Sequence, residues 1–326
     1  MSARAQTTSQ KVSGSPSTGN EAIVVENFKK RYGSNEVIKG LSFSVRQGEV
    51  FALLGPNGAG KTTTVETLEG YRKADAGTIR VLGLDPIHEA QALKPRLGVM
   101  LQQDGLYPAL TAREVLELFA GYFEQPRNVA DLLELVGLAN AQKTRCRRLS
   151  GGQKRRLALA LALVGNPELI FMDEPTAGMD PQARLATWEI IRDLKASGVT
   201  ILLTTHYMDE AERLADRIAI IDHGELIKLD TPANITGVQN ANVVRFVAPA
   251  GLDCTLLASL PAASKAQEIR PGSYLLETKE GQEVPQLIVE LTTWLRDQHI
   301  TLSELRTGHG SLEDLFLRLT GSEVRD

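Results

Sequence analysis

The chain has 326 residues and a formal net charge of −4, with 42% apolar, 23% charged and 5% aromatic residues. That length holds one large domain or two ordinary ones with ample core, the composition is that of a globular chain, and the mild negative charge argues against a nucleic-acid partner. Two cysteines, Cys146 and Cys254, are too few for a disulfide framework, and no apolar run approaches the roughly 20 residues of a membrane-spanning helix, so any membrane role would come through another chain.

Residues 1–20 are rich in Ser, Thr, Gln and Gly without apolar periodicity, and read as a disordered tail with no segment fit for a signal peptide. Residues 22–25 and 37–45 read as strands around a turn at Gly33, Ser34 and Asn35. Tyr32, just before that turn, suits either stacking on an adenine or packing on an edge strand.

The apolar run 50–54 reads as a buried strand, and residues 64–69 as the body of a helix. Between them stand Gly55, Pro56, Asn57, Gly58, Ala59, Gly60, Lys61, Thr62 and Thr63. Strand, glycine loop and helix form the context of a phosphate-binding loop. The glycines let the backbone curl so that successive N–H groups point inward. The helix start offers unpaired N–H groups and the positive end of its dipole. Lys61 brings an ammonium to the outer phosphates, and the Thr62 hydroxyl can ligate Mg²⁺.

Residues 78–82 and 97–101 read as further strands, the second ending at Gln102 and Gln103. Thr111 and Glu114 have capping-box spacing, and two helices are expected over 112–136. Leu149, Ser150, Gly151, Gly152 and Gln153 repeat the capping-box spacing, with Ser150 as N-cap. Two glycines weaken a helix start, which makes sense where a phosphate must approach the backbone closely. Arg145, Arg147, Arg148, Lys154, Arg155 and Arg156 surround this stretch. They read first as a solvated face and second as contacts to phosphate or a partner.

Residues 169–173 read as a buried strand ending in Asp173 and Glu174, where a Mg²⁺-holding aspartate and a water-activating glutamate would sit opposite a phosphate loop. A turn at 176–180 ends in Asp180, and Pro181 suits a first helical position. The strand 199–205 is followed by His206, and 217–221 with 225–229 form a hairpin.

Together these residues resemble the ATP-binding subunit of an ABC transporter across about residues 23–235. Tyr32 matches the adenine-stacking aromatic, residues 55–63 the P-loop, Gln102 the Q-loop glutamine, and 149–153 the signature sequence. Asp173 and Glu174 match the Walker B aspartate and catalytic glutamate, Asp180 the D-loop aspartate, and His206 the switch histidine. The resemblance implies an α/β P-loop NTPase domain with an antiparallel β subdomain and a helical subdomain. It implies ATP and Mg²⁺ as ligands, with Thr62, Gln102 and Asp173 holding the metal and Glu174, His206 and Gln102 serving hydrolysis. It implies a head-to-tail dimer, with a second copy or a paralogous chain, in which Ser150, Gly151, Gly152 and Gln153 close on the other copy's ATP. Integral-membrane permease subunits are the implied partners, at the cytoplasmic face of the membrane, and the loop after Gln102 resembles the region that touches them. The alternative of a soluble ABC-type ATPase acting on nucleic acid or ribosomes is less apt. The chain carries one motif set and no sustained heptads between P-loop and signature.

Expected domains are a tail at 1–20, an ATP-binding domain at 21–238 and a small C-terminal α+β domain at 241–321. Within the last, strands are expected at 243–247, 274–278 and 300–302. A helix is expected at 285–297, with Val284, Leu287, Ile288 and Leu291 on one face, which suggests a ferredoxin-like order. The ending 311–321 resembles that of drug- and polysaccharide-exporting ABC ATPases of the daunorubicin-resistance type.

Overall fold

The computed structural model describes residues 20–100, 105–236, 243–279 and 281–307, together with Leu312 and Phe316. All of the expected tail at 1–20 except Asn20, the expected metal ligand Gln102, and the ending 311–321 apart from Leu312 and Phe316 lie outside the described residues.

A six-stranded sheet runs in the order Leu97–Met100, Leu169–Asp173, Thr200–Thr204, Val50–Leu54, Arg217–Asp222 and Glu225–Asp230. The first five strands are parallel, and the hairpin around Asp222 and Glu225 adds the antiparallel edge. All five residues of Val50–Leu54 and of Thr200–Thr204 are buried, as strands covered on both faces require. The pleat divides Val50–Leu54 between two cores. Val50, Ala52 and Leu54 join a cluster with residues of the helices Gly151–Leu163, Pro181–Ala196 and Met208–Leu214. Phe51 and Leu53 join a second cluster with Ile23, Val25, Phe28 and Phe43. Those last four belong to a three-stranded antiparallel sheet ordered Asn35–Arg46, Glu21–Tyr32, Ala76–Val81. The Phe43 and Phe51 rings stack at 5.4 Å between the two sheets.

The capping boxes at Thr111 and Ser150 are both present, opening the helices Ala112–Ala120 and Gly151–Leu163. The region expected to hold two helices contains Ala112–Ala120 and Val129–Leu135.

A third sheet, wholly antiparallel, is ordered Ala263–Arg270, Ser273–Thr278, Val243–Val247, Glu304–Thr307. With the helices Cys254–Ala258 and Val284–Asp297 the chain order is β-α-β-β-α-β, the ferredoxin-like arrangement. Leu287, Leu291 and Leu295 of the longer helix are buried against it. One expectation is corrected: Ile300, Thr301 and Leu302 are not a strand, and the edge strand begins at Glu304. The helix uses those residues to stop. His299 takes a positive φ of 52°, and the Ile300 N–H donates to the Leu295 carbonyl at 2.9 Å, a helix-closing bond that a strand residue would not make.

Leu312 and Phe316 are both fully buried, in the same cluster as Ile170 and Trp188 rather than in that of the third sheet. The Leu312 N–H donates to Glu212 at 2.6 Å.

Candidate active site

Three strand ends of the parallel sheet converge on one site. Val50–Leu54 runs directly into the glycine loop, Leu169–Asp173 into Glu174, and the next strand, Thr200–Thr204, into His206. Ligands of open α/β sheets bind at such carboxyl ends.

The loop is built to receive an anion. Gly60 caps the helix Lys61–Leu68 in a left-handed conformation, φ 104°, without any side-chain hydrogen bond. The first N–H groups of the helix are thereby left for a ligand. Gly55 is fixed for a different reason, since a Cβ there would sit 2.4 Å from the Ile221 carbonyl oxygen. Lys61 reaches back across the loop, with Nζ 2.6 Å from the Gly55 oxygen and 3.2 Å from that of Pro56. Burial holds its ammonium below the usual lysine range, and the negative charges of Glu174 and Asp173 pull it back up. A part-buried ammonium facing carboxylates beside an uncapped helix start fits a polyphosphate. Thr62 is exposed at this mouth. Asp173 accepts a hydrogen bond from Thr204. A hydroxyl and a carboxylate are few enough ligands that a Mg²⁺ here would share the phosphates of a nucleotide.

Glu174 adopts a positive φ of 50°, unusual for a residue with a Cβ and characteristic of functional sites. Its N–H donates to the Thr204 carbonyl at 3.0 Å. Its carboxylate lies 3.4 Å from Nδ1 of His206, both side chains being 23% exposed. The acid and the histidine are therefore brought together, as their places at adjacent strand ends suggested. Tyr32 ends its strand 40% exposed, with Lys30 and Arg72 at 5.6 and 5.5 Å from its ring centroid. Asp180 caps the helix Pro181–Ala196, accepting from the Ala183 N–H at 2.9 Å.

The signature stretch presents its backbone outward. Ser150 and Gln153 satisfy each other reciprocally at 3.2 and 3.0 Å. Nothing lies within 4 Å of a Cβ at Gly151, and only the Met179 side chain, at 4.0 Å, near one at Gly152.

The basic cluster around it divides, which corrects the reading of a solvated face for two members. Arg155 is 6% exposed and donates to the carbonyls of Asp173 and Glu174 at 3.1 and 2.8 Å. It thus ties the signature helix to the acidic strand end. Arg156 donates to the Val136 carbonyl at 3.0 Å, at the end of the preceding helix. Arg145, Arg147 and Arg148 are exposed. Sequence reasoning missed Arg155 because charge runs are usually solvated, although a helical period does place 155 beside the apolar positions Leu159 and Ala162.

The family model described as ABC transporter matches residues 38–177. The chain is 42% identical to the Nod factor export ATP-binding protein I of Ralstonia nicotianae over 322 residues, 95% of this chain and 98% of that protein. It is 37% identical to the linearmycin resistance ATP-binding protein LnrL of Bacillus subtilis over 314 residues, 93% of this chain and 100% of that one. A solved dimeric bacterial ABC transporter cassette matches with a TM-score of 0.58 at 26% identity, covering 64% of this chain and 98% of the cassette. Likeness over nearly the full length, on a fold whose strand ends assemble a phosphate loop, an acidic pair and a histidine, places the chain in the family of ABC transporter ATP-binding subunits, as an ATP-hydrolysing member.

Proposed function

We propose that this chain supplies the ATP-hydrolysing half of an exporter whose membrane subunits are separate chains, and that its cargo is drug-like or a lipid or polysaccharide. The observation that carries the hydrolytic reading is the convergence of Lys61, the Asp173–Thr204 pair and the Glu174–His206 pair at neighbouring strand ends. The names of the two relatives, one an export protein and one a resistance protein, support the direction of transport. No helix among the described residues is long and apolar enough to cross a membrane.

In this reading Lys61 and the loop N–H groups hold the outer phosphates of ATP, with Tyr32 against its adenine. Thr62, Gln102 and Asp173 hold Mg²⁺, which when bound neutralises charge on the phosphates. Glu174 accepts a hydrogen bond from the attacking water and aims it in line with the terminal phosphate, general-base positioning of the ordinary kind. His206 contacts that phosphate and holds the Glu174 carboxylate. Ser150, Gly151, Gly152 and Gln153 of one copy close over the nucleotide of the other, and loss of the bridging phosphate reopens the pair. The glycines of the signature, uncrowded within their own chain, leave room for that approach. Tyr107 and Tyr122, 51% and 76% exposed and flanking Phe119 at 6.5 and 6.1 Å, offer an aromatic surface to a membrane subunit close after Gln102. That contact would hold the chain at the cytoplasmic face of the membrane. Residues 21–238 are taken as the ATP-binding unit. Residues 241–321 are taken as a regulatory or dimer-supporting unit whose end is anchored in the first unit's core at Leu312 and Phe316.

The test is purification of the tagged chain from solubilised membranes, with identification of what accompanies it. A stoichiometric multi-helix membrane protein is the expected result. Recovery of ribosomal or chromosomal partners without one would overturn the transport reading and leave the ATPase chemistry standing.

A further inference from the structure

Glu210 lies on the helix Met208–Leu214, four positions beyond His206, and is 0% exposed. A carboxylate is an expensive group to bury where an apolar side chain would pack. Its Oε1 accepts two hydrogen bonds, from the Thr176 hydroxyl at 2.8 Å and from the Trp188 indole N–H at 3.0 Å. The donors come from different elements. Thr176 stands two positions after Glu174, and Trp188 sits on the helix that Asp180 caps. Burial pushes the Glu210 carboxyl up, while hydrogen bonds from Thr205, Trp188 and Thr176 and the charge of Arg184 pull it down. Thr205 immediately precedes His206. Arg184, on the Asp180-capped helix, lies 4.1 Å from the centroid of the Tyr207 ring, itself 4.1 Å from that of His206.

The segments that follow Glu174 and precede His206, and the helix that Asp180 caps, therefore meet at this one buried carboxyl. The segment after Glu174 has most need of a fixed point, because Glu174 holds a left-handed backbone that only over-determined surroundings maintain. Arg155 fixes that backbone from the signature helix, and Glu210 fixes the residues just behind it from the histidine side.

Resting on the hydrolytic reading above, we propose that Glu210 is a positioning residue for ATP hydrolysis. By accepting from Thr176 and Trp188 it sets the separation of Glu174, His206 and the Asp180-capped helix. It touches neither nucleotide nor water. What it supplies is acceptor geometry, so a glutamine, which keeps the Oε1 acceptor, substitutes for it.

The test uses the full chain and compares steady-state ATP hydrolysis with thermal stability. Glu210→Ala is expected to lower kcat by about 10- to 100-fold, the range usual for supporting residues behind a reactive group, with KM for ATP within about threefold. Glu210→Gln is expected to keep at least about half of wild-type kcat, because the acceptor remains. Thr176→Val, which removes one donor at nearly constant volume, is expected to lower kcat severalfold, and it decides the matter if the alanine variant does not fold. In a His206→Ala background the Glu210→Ala cost should largely vanish, since two residues acting through one another are not additive. Unchanged kcat in Glu210→Ala and Thr176→Val alongside a lowered melting temperature would overturn the proposal, as would equal losses in Glu210→Gln and Glu210→Ala. Glu174→Gln runs in the same assay. Its collapse alongside an active Glu210→Ala would sink this inference alone, whereas wild-type turnover in Glu174→Gln would sink the hydrolytic reading beneath it.

Discussion

The two glycine-rich stretches of this chain, one after Val50–Leu54 and one opening Gly151–Leu163, have their glycines for opposite reasons. Those of the first are demanded from inside. Gly55 has the Ile221 carbonyl where a Cβ would go, and Gly60 sits at φ 104°. Those of the second are demanded by nothing in the chain, since the space beside Gly151 and Gly152 is open. A helix start loses stability with glycine in place of alanine, a cost that the proposed closure over another copy's nucleotide would explain. On the proposed function, the difference separates a loop shaped by its own chain from a stretch left open for a second copy, as the dimeric state of the similar solved cassette would allow.

The largest effect that bears on this comparison is at the acid. Glu174→Gln keeps the loop and the signature intact and removes the carboxylate that faces His206. Hydrolysis is expected to fall at least about 100-fold, as for loss of a general base, while ATP binding, followed by fluorescence of a labelled nucleotide, is retained and the dimer accumulates in size-exclusion chromatography. Near-normal phosphate release in that variant would remove Glu174 from the mechanism. Next comes the inner loop. Gly55→Ala forces a Cβ against backbone, and overpacking of that kind costs about 1–3 kcal/mol. Chemical denaturation of the nucleotide-free chain should show the loss, and an unchanged midpoint would mean that the strand can shift at no cost.

Much of this was legible in the sequence, and the parts that were not share a cause. The P-loop, the acidic pair, His206 and both capping boxes are local patterns, fixed by neighbours within a turn or two. The parallel sheet followed from short apolar runs spaced by helices. Arg155 and Glu210 were not legible, because their roles lie in partners 18 to 34 positions away, and helical periodicity, the one local sign at Arg155, names no partner. The strand at Glu304–Thr307 was displaced from the apolar run at 300–302 because that run closes a helix, and its packing depends on the other strands of its sheet. The return of Leu312 and Phe316 to the main core is likewise tertiary.

A third prediction uses Glu69, which follows the P-loop helix and is 6% exposed. Burial, and then the charges of Asp173 and Glu66, push its carboxyl up to about 8. Unfolded, it would titrate near 4.5. Between these values the folded chain holds a proton that the unfolded chain has lost, so stability is present at low pH and falls as pH rises, by about 1.4 kcal/mol per unit from this group. Glu69→Gln removes that slope. The nucleotide-free variant should therefore gain on the wild type as pH is raised from 6 toward 8, and parallel stability–pH curves for the two would show that Glu69 is charged in the folded state. The expected result would sharpen the comparison from the inner side: a carboxyl whose charge burial suppresses behind the loop would leave less negative charge near bound phosphates.

The smallest effect on the isolated chain falls at the signature. Gly151→Ala and Gly152→Ala meet no neighbour closer than Met179 at 4.0 Å. They relieve part of the glycine penalty at the first turn, so each should raise stability by up to about 0.5 kcal/mol. That corresponds to a melting shift of roughly 1–2 °C. Yet the added methyl stands where the other copy's nucleotide would come. Hydrolysis is expected to fall about tenfold, with nucleotide binding by the monomer unchanged. A variant that is more stable, binds as well and works less would show that the glycines answer to a partner. A variant that works as well as the wild type would show that they answer to nothing beyond the chain, and the two stretches would then differ only in how tightly they are packed.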